Sequence, residues 1–276
     1  MINFLFWLFF AGLIIAVVQD VKRREVDNWL NLLLLVSGIA FIVFYSVFIN
    51  NSGMILQLGF FLLIMFFVSN ALYYGRFFAG GDAKLLFAMS ALFIAGSFYN
   101  TLINLGIFLL FLFIAGSIYG LCCVCYFVIF NFRKIEHRIK KEMNHVYFKY
   151  AFLLGVFLFL LGFAEHVFFI PGVSLMLFPF LFIFARAIEH SVMIKSISVR
   201  NLREGDWLAQ NIKVKGRVIK SSWEGLTNED IRLIQRVHKV KIKIKDGIAF
   251  VPAFLISFLL YVFLKDFVLK FLMEMF

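Results

Sequence analysis

Charge is scarce in this chain. Asp, Glu, Lys and Arg make up 16% of its 276 residues, where soluble domains carry about 25%. That scarcity excludes a soluble globular enzyme and a disordered chain. Cysteine is scarce too: Cys122, Cys123 and Cys125 are the only three, and all sit in one apolar run. Their spacing fits neither a zinc site nor a disulfide framework, which excludes a stapled secreted domain and leaves three small reduced packing residues. No Gly-x-Ser-x-Gly occurs. The histidines His137, His145, His166, His190 and His238 are scattered, with no helical metal spacing among them.

What the chain has instead is apolar surface. Hydrophobic residues make up 63%, Phe alone contributes 40, and the mean hydropathy is +0.95. These values point to a polytopic membrane protein, because a bilayer-crossing helix needs about 20 mostly apolar residues. Ile2 to Gln19 is uncharged and forms the first candidate span; it lacks the N-terminal basic patch of a cleaved signal peptide. Trp29 to Gly75 is also uncharged and is long enough for two spans, with Asn50-Asn51-Ser52-Gly53 as the turn. Leu85 to Phe132 holds two more, separated by a polar break around Gly96 to Asn104. Tyr150 to Ala187 folds back on itself near Glu165, His166, Pro171 and Gly172. Ile248 to about Leu272 is the last. The expected architecture is an all-α polytopic membrane protein of about eight transmembrane helices with a small α+β insert. Its parts are a membrane core over 1–132, a basic loop over 133–149, a transmembrane hairpin over 150–187, the insert over 188–247, and a last helix and tail over 248–276.

Lys and Arg orient these spans. With loops alternating across the membrane, every Lys and Arg except Lys265 and Lys270 falls on one side. The positive-inside rule makes that side cytoplasmic and places both termini outside. The net charge of +11 is thereby accounted for by topology, not by a nucleic-acid partner. Within the insert, Val240 to Lys245 alternates with period two and reads as a half-buried strand, as does Asn211 to Lys220. Thr227-Asn228-Glu229-Asp230 opens a helix, with Thr227 as the N-cap and Ile231, Leu233, Ile234 and Val237 as its apolar face. The insert carries no visible catalytic set and reads as a scaffold, docking or substrate-guiding module.

Carboxylates near a bilayer are costly and call for a functional reading. Asp20 ends the first span and Asp82 begins the fourth, so the topology places both at the cytoplasmic surface. Gly80 and Gly81 precede Asp82. Two glycines before a helix permit unusual dihedrals and the close approach of a partner chain. Two acids sharing one site titrate as a unit, one taking a proton from water while the other polarises a carbonyl. Lys84 either biases this pair or anchors the span. Glu25 and Asp27 either attract a basic segment or are solvated loop charges. Three functions follow: a membrane protease, a transporter or channel that binds cations at Asp20 and Asp82, or a scaffold of an appendage machine.

Asp20-Val-Lys-Arg-Arg-Glu25-Val26-Asp27-Asn28-Trp29 resembles the first aspartate motif of the type IV prepilin peptidases, and Gly80-Gly81-Asp82-Ala83-Lys84-Leu85 resembles the second, their Gly-x-Gly-Asp region. Leu202 to Ala209, Gly225 to Ile231 and Phe250 to Phe254 are similar to the C-terminal region of archaeal members. Ala79 stands where the family has its first glycine, and Asp27 where it has proline. The resemblance implies an integral membrane aspartyl endopeptidase with Asp20 and Asp82 as catalytic residues and no metal or other cofactor. It would cut the short basic leader from pilin-like or archaellin precursors at the cytoplasmic face of the cell membrane. Bacterial relatives also carry a cysteine-rich zinc module and methylate the new N-terminus. No pair of Cys-x-x-Cys motifs occurs here, so neither zinc nor methyltransferase activity is expected.

Overall fold

The computed structural model describes residues 2–143, 146–214, 217–222, 225–237 and 241–275. It is a mostly helical, multi-pass membrane protein. The described residues form two units, 1–121 with 248–276, and 122–247.

In the first unit, α1 (Ile2–Arg23), α2 (Asn28–Phe48) and α3 (Gly53–Tyr74) run back and forth through sequence whose only charges are Asp20, Lys22 and Arg23 in the last turn of α1. The turn after α1 is made by Arg24, whose φ is 59° and whose N–H reaches the Asp20 carbonyl at 2.8 Å. This is a left-handed helix end built on arginine where glycine is commoner. A shorter helix follows, α4 (Gly80–Ala88), continued by a tighter 3-10 stretch, Met89–Phe93. The start of α4 lies beside the start of α2, where Lys84 Nζ donates to Asn28 Oδ1 at 2.9 Å. The far end lies beside the start of α3. There Gln57 donates through Nε2 to the Ala95 carbonyl at 3.2 Å and to Thr101 Oγ1, and Asn104 Nδ2 donates to the Phe93 carbonyl at 3.0 Å. These side chains satisfy carbonyls at the end of the 3-10 stretch and in the turn that follows it.

Helix α5 (Phe98–Met143), as far as Leu121, and the last helix, α9 (Val251–Met275), complete the unit. Phe93 is fully buried at its centre, with ring centroids 6.2 Å from Phe61, 5.1 Å from Phe108 and 6.0 Å from Tyr261. Gly38 lets the 3-10 stretch approach α2: a Cβ there would sit 2.7 Å from that of Ala91. Large rings such as Phe44 and Phe67 are exposed on the outer faces, the disposition a lipid solvent permits.

Among the described residues, six helices are long and apolar enough to cross a membrane by length and composition: α1, α2, α3, α5, α7 (Phe169–Ile188) and α9. The other two expected spans are the shorter α6 (Val146–Leu161) and the interrupted α4 with its 3-10 extension. The expected basic loop over 133–149 is corrected as far as Met143, because α5 continues through it. No proline or glycine interrupts that stretch, and Lys140 pairs with Glu136 one turn away at 2.6 Å. Helix α5 does kink at Asn131 (φ −124°, ψ 21°), whose side-chain amide donates to the Phe127 carbonyl at 3.2 Å. A side chain competing for the helix's own carbonyls is a known cause of such bends. The last helix, set apart in the sequence reading, packs along α1 within the first unit.

In the second unit, α6 and α7 form a hairpin tight enough that a Cβ on Gly172 would fall 2.5 Å from the Phe159 nitrogen. The insert is the expected α+β module. Strands β1 (Ile194–Ile197), β2 (Trp207–Leu208) and β5 (Ile242–Lys245) form an antiparallel sheet in the order β1-β5-β2. Ile242 and Ile244 are buried and Lys243 is exposed, as period two requires; Val240 lies outside the described residues. The expected single strand over 211–220 is instead a hairpin, β3 (Ile212–Val214) with β4 (Arg217–Ile219); Lys215 and Gly216 lie outside the described residues. Helix α8 (Asn228–Val237) opens at Thr227, whose Oγ1 accepts the Asp230 N–H at 3.3 Å and donates to Asp230 Oδ2 at 2.8 Å. This reciprocal arrangement is a capping box with Asp in the usual Glu position.

Candidate active site

Asp20 lies on the last turn of α1 and is buried, with 6% of its surface exposed. A carboxylate at a helix C-terminus faces the negative end of that helix's dipole and needs other donors. They come from the far end of the chain. Asp20 Oδ2 accepts the Val251 N–H at 2.9 Å, and the Phe250 N–H also reaches its carboxylate. The first amides of α9 are thereby satisfied by a side chain from α1, which takes the place a local N-cap residue would fill. Pro252 has no N–H and tolerates the first turn. The positive charge of Arg24 also acts on Asp20.

Asp82 is the third residue of α4 and is buried, with 9% exposed. Its carboxylate accepts the backbone N–H of Ala79, the N-cap residue. A side chain three residues into a helix that reaches back to its cap is held in one rotamer. The charge of Asp20 acts directly on the Asp82 carboxyl. Three elements separated by long stretches of sequence therefore converge: the end of α1, the start of α4 and the start of α9. Phe78 seals them from outside, buried against the rings of Phe250 and Phe254 at 5.7 and 5.6 Å.

The other residues read from the sequence fall around this pair. Gly80 and Gly81 begin α4 and are partly exposed. The unusual dihedrals expected of them do not occur: among the described glycines, positive φ is confined to Gly205 and Gly225. A Cβ at Gly80 or Gly81 would come no nearer than 3.6 and 3.8 Å to a neighbour. The pair instead leaves a stretch of bare backbone beside Asp82. Lys84 is exposed and ties α4 to α2 through Asn28. Asp27 is engaged locally: its Oδ2 accepts Arg23 Nη2 at 2.6 Å and Trp29 Nε1 at 3.0 Å. The Arg23 hydrogen bond holds its carboxyl below the usual carboxylate range. Glu25 is exposed in the same turn.

Sequence reasoning missed Gln19 and Asn31, and it marked Phe250 to Phe254 only as a segment similar to a family's C-terminal region, not as a neighbour of Asp20. Gln19 Oε1 accepts the Asp27 N–H at 3.0 Å and holds the α1–α2 turn. A further signal for Val251 was Pro252, since proline near a first turn marks a helix start. Asn31 on α2 is buried, and both ends of its side-chain amide have no hydrogen-bond partner; a buried amide left so is costly unless water or a bound group completes it. Among the described residues, no group of three or more His, Cys, Asp or Glu gathers in a way that holds a metal.

Residues 7–124 match the family described as Type IV leader peptidase family. No curated protein and no solved structure matches the chain.

Proposed function

We propose that this chain, whose residues 7–124 match the type IV leader peptidase family, is a membrane protease of that family, and that Asp20 and Asp82 are the catalytic pair with which it hydrolyses a peptide bond. The observation that carries the reading is the meeting of two buried carboxylates from α1 and α4, each held by backbone N–H groups. Two such acids share one proton. The ionised member takes a proton from a water molecule as that water attacks the scissile carbonyl. The protonated member gives its proton to the carbonyl oxygen. Collapse of the tetrahedral intermediate breaks the C–N bond, the amine leaves with a proton from the first acid, and the second acid recovers its own.

The proposed substrate is a pilin-like or archaellin precursor. Its short basic leader is drawn to exposed Glu25, since Asp27 is already paired with Arg23. The bare backbone at Gly80 and Gly81 offers room for an extended segment beside Asp82. The basic residues flanking the spans favour a cytoplasmic active site in the cell membrane, with both termini outside. No zinc-binding module or methyl transfer is part of this reading.

A cleavage assay with a precursor from the same genome tests it. Asp20→Asn and Asp82→Asn should each lose several orders of magnitude in rate while inserting into the membrane normally, because catalytic groups that act as a unit fail together. Asp27→Asn should cleave at near the normal rate. Near-normal cleavage by Asp82→Asn, or an Asp27→Asn variant as inactive as Asp20→Asn, would overturn the assignment.

A further inference from the structure

Past the kink at Asn131, the last part of α5 is amphipathic and basic. Ile135 is buried and packs with Ile139 against Phe184, Ala187 and Ile188 of α7. Arg133, Lys134, His137 and Lys140 face away from that contact and are exposed. Basic amphipathic segments of this kind lie at membrane surfaces. The position agrees: α5 is uncharged up to Phe132, and α7 up to Ala185. Both helices leave their apolar stretches here, at the level of lipid headgroups.

A cavity of about 300 Å³ opens at this place within the second unit. Lys134, His137 and Arg138 line it from α5, His190 from the turn after α7, and Lys243 and Gln210 from the module. Among the described residues no carboxylate lines it. Three acids of these segments pair with lysines that do not line it: Glu136 with Lys140, Glu189 with Lys245, and Asp246 with Lys195. One residue beyond Arg138, Ile139 lines a second, open cavity of about 220 Å³, together with Phe180, Leu181, Ile183 and Phe184. That cavity is wholly apolar. A cationic chamber and an apolar chamber served by one helix segment match a molecule with a phosphate at one end and hydrocarbon at the other.

We propose that the cationic cavity between the end of α5, the turn after α7 and strand β5 binds the phosphate of an anionic membrane lipid, with hydrocarbon of that lipid against the apolar cavity that Ile139 lines. Lys134 and Lys243 supply the charge, and Gln210 supplies a neutral donor to a phosphate oxygen. The bound lipid links α5, α7 and the module at a point where packing alone leaves two voids.

The test uses the full-length protein in zwitterionic nanodiscs, with lipid retention read by native mass spectrometry. Phosphatidylglycerol is titrated against phosphatidylcholine, and glycerol phosphate and inorganic phosphate are added in separate arms. The wild-type protein should retain phosphatidylglycerol preferentially. The Lys134→Gln/Lys243→Gln variant should lose about fivefold in affinity per cation removed, on the order of twentyfold for the pair. A charge-matched control, Lys213→Gln/Lys220→Gln, alters residues away from the cavity and should retain the lipid. Equal retention by the cavity variant and the control would overturn the site. Binding of inorganic phosphate or glycerol phosphate as tight as that of the lipid would overturn the lipid assignment and leave a free-phosphate site.

Discussion

The carboxylate of Asp20 accepts the backbone N–H of Val251 at 2.9 Å, across 231 residues of sequence. A single oxygen thus serves two ends: it caps the last helix, and that helix fixes the aspartate whose charge acts on Asp82. The start of α9 is therefore part of the proposed site, although it lies well beyond the residues that match the family.

Val251→Pro separates these roles. Proline suits the first position of a helix, so α9 should still form, but the donor to Asp20 is gone. Loss of a hydrogen bond to a charged acceptor costs about 1.5–3 kcal/mol, which corresponds to a roughly ten- to hundredfold fall in leader cleavage. Val251→Ala keeps the N–H and should cleave normally. Equal rates for the two variants, measured on the same precursor, would show that Asp20 does not depend on this amide.

Asn31 separates fold from function in another way. Its amide is buried with neither end bonded, so Asn31→Leu removes a desolvated polar group and should raise thermal stability by about 1–3 kcal/mol. If a substrate or water completes that amide during catalysis, cleavage should fall in the same variant. A variant that is both more stable and fully active would make Asn31 a structural residue only.

Gly38 is a packing contact with a defined partner. A Cβ there would meet that of Ala91 at 2.7 Å, so Gly38→Ala should destabilise the first unit by about 1–3 kcal/mol through overpacking. Ala91→Gly in the same chain removes the clashing methyl and should restore most of the loss. Thermal unfolding of the single and double variants in detergent measures both; an unchanged melting temperature in the single variant would contradict the contact.

Asp206 gives the insert a pH-dependent stability. Burial raises its pKa above the ordinary carboxylate range, the charge of Asp246 adds to this, and the Arg203 backbone N–H and guanidinium oppose it. A raised carboxyl pKa means that the folded state holds its proton over a range where the unfolded chain has lost it. Stability therefore falls as pH rises from the unfolded value through the folded one, and the full penalty is present at neutral pH. Asp206→Asn can still accept the Arg203 N–H, donated at 2.8 Å in the wild type, without the charge. It should unfold at a higher temperature than the wild type near pH 7, with the difference vanishing in acid. A difference that stayed constant across that range would rule out titration as its cause.

Much of this protein is written in local sequence. Uncharged runs between charged breaks define membrane helices because hydrocarbon rejects charge and unpaired backbone, and this holds whatever the neighbours are. Thr227 and Asp230 mark the start of α8, and Ile242 and Ile244 mark the buried side of β5, because capping and strand alternation act over a few residues. Asp20 and Asp82 stand out for the same reason: an acid at the end of an apolar run is anomalous on its own.

What local sequence leaves open depends on partners far along the chain. The helical continuation of α5 through Arg133–Met143 is one case: its charges read as a loop, but the burial of Ile135 against α7 decides otherwise. The role of Asp27 is another, because only the turn's geometry commits its carboxylate to Arg23 and Trp29. The α4 glycines are a third, since their backbone proved ordinary and only the space around them is distinctive. The sequence by itself determined the membrane class, the spans and the two acids, through solvation and short-range capping. Tertiary structure alone decided that Asp20 is held by the amides of α9 and lies where its charge acts on Asp82, because a backbone N–H carries no side-chain identity that would name its partner 231 residues away.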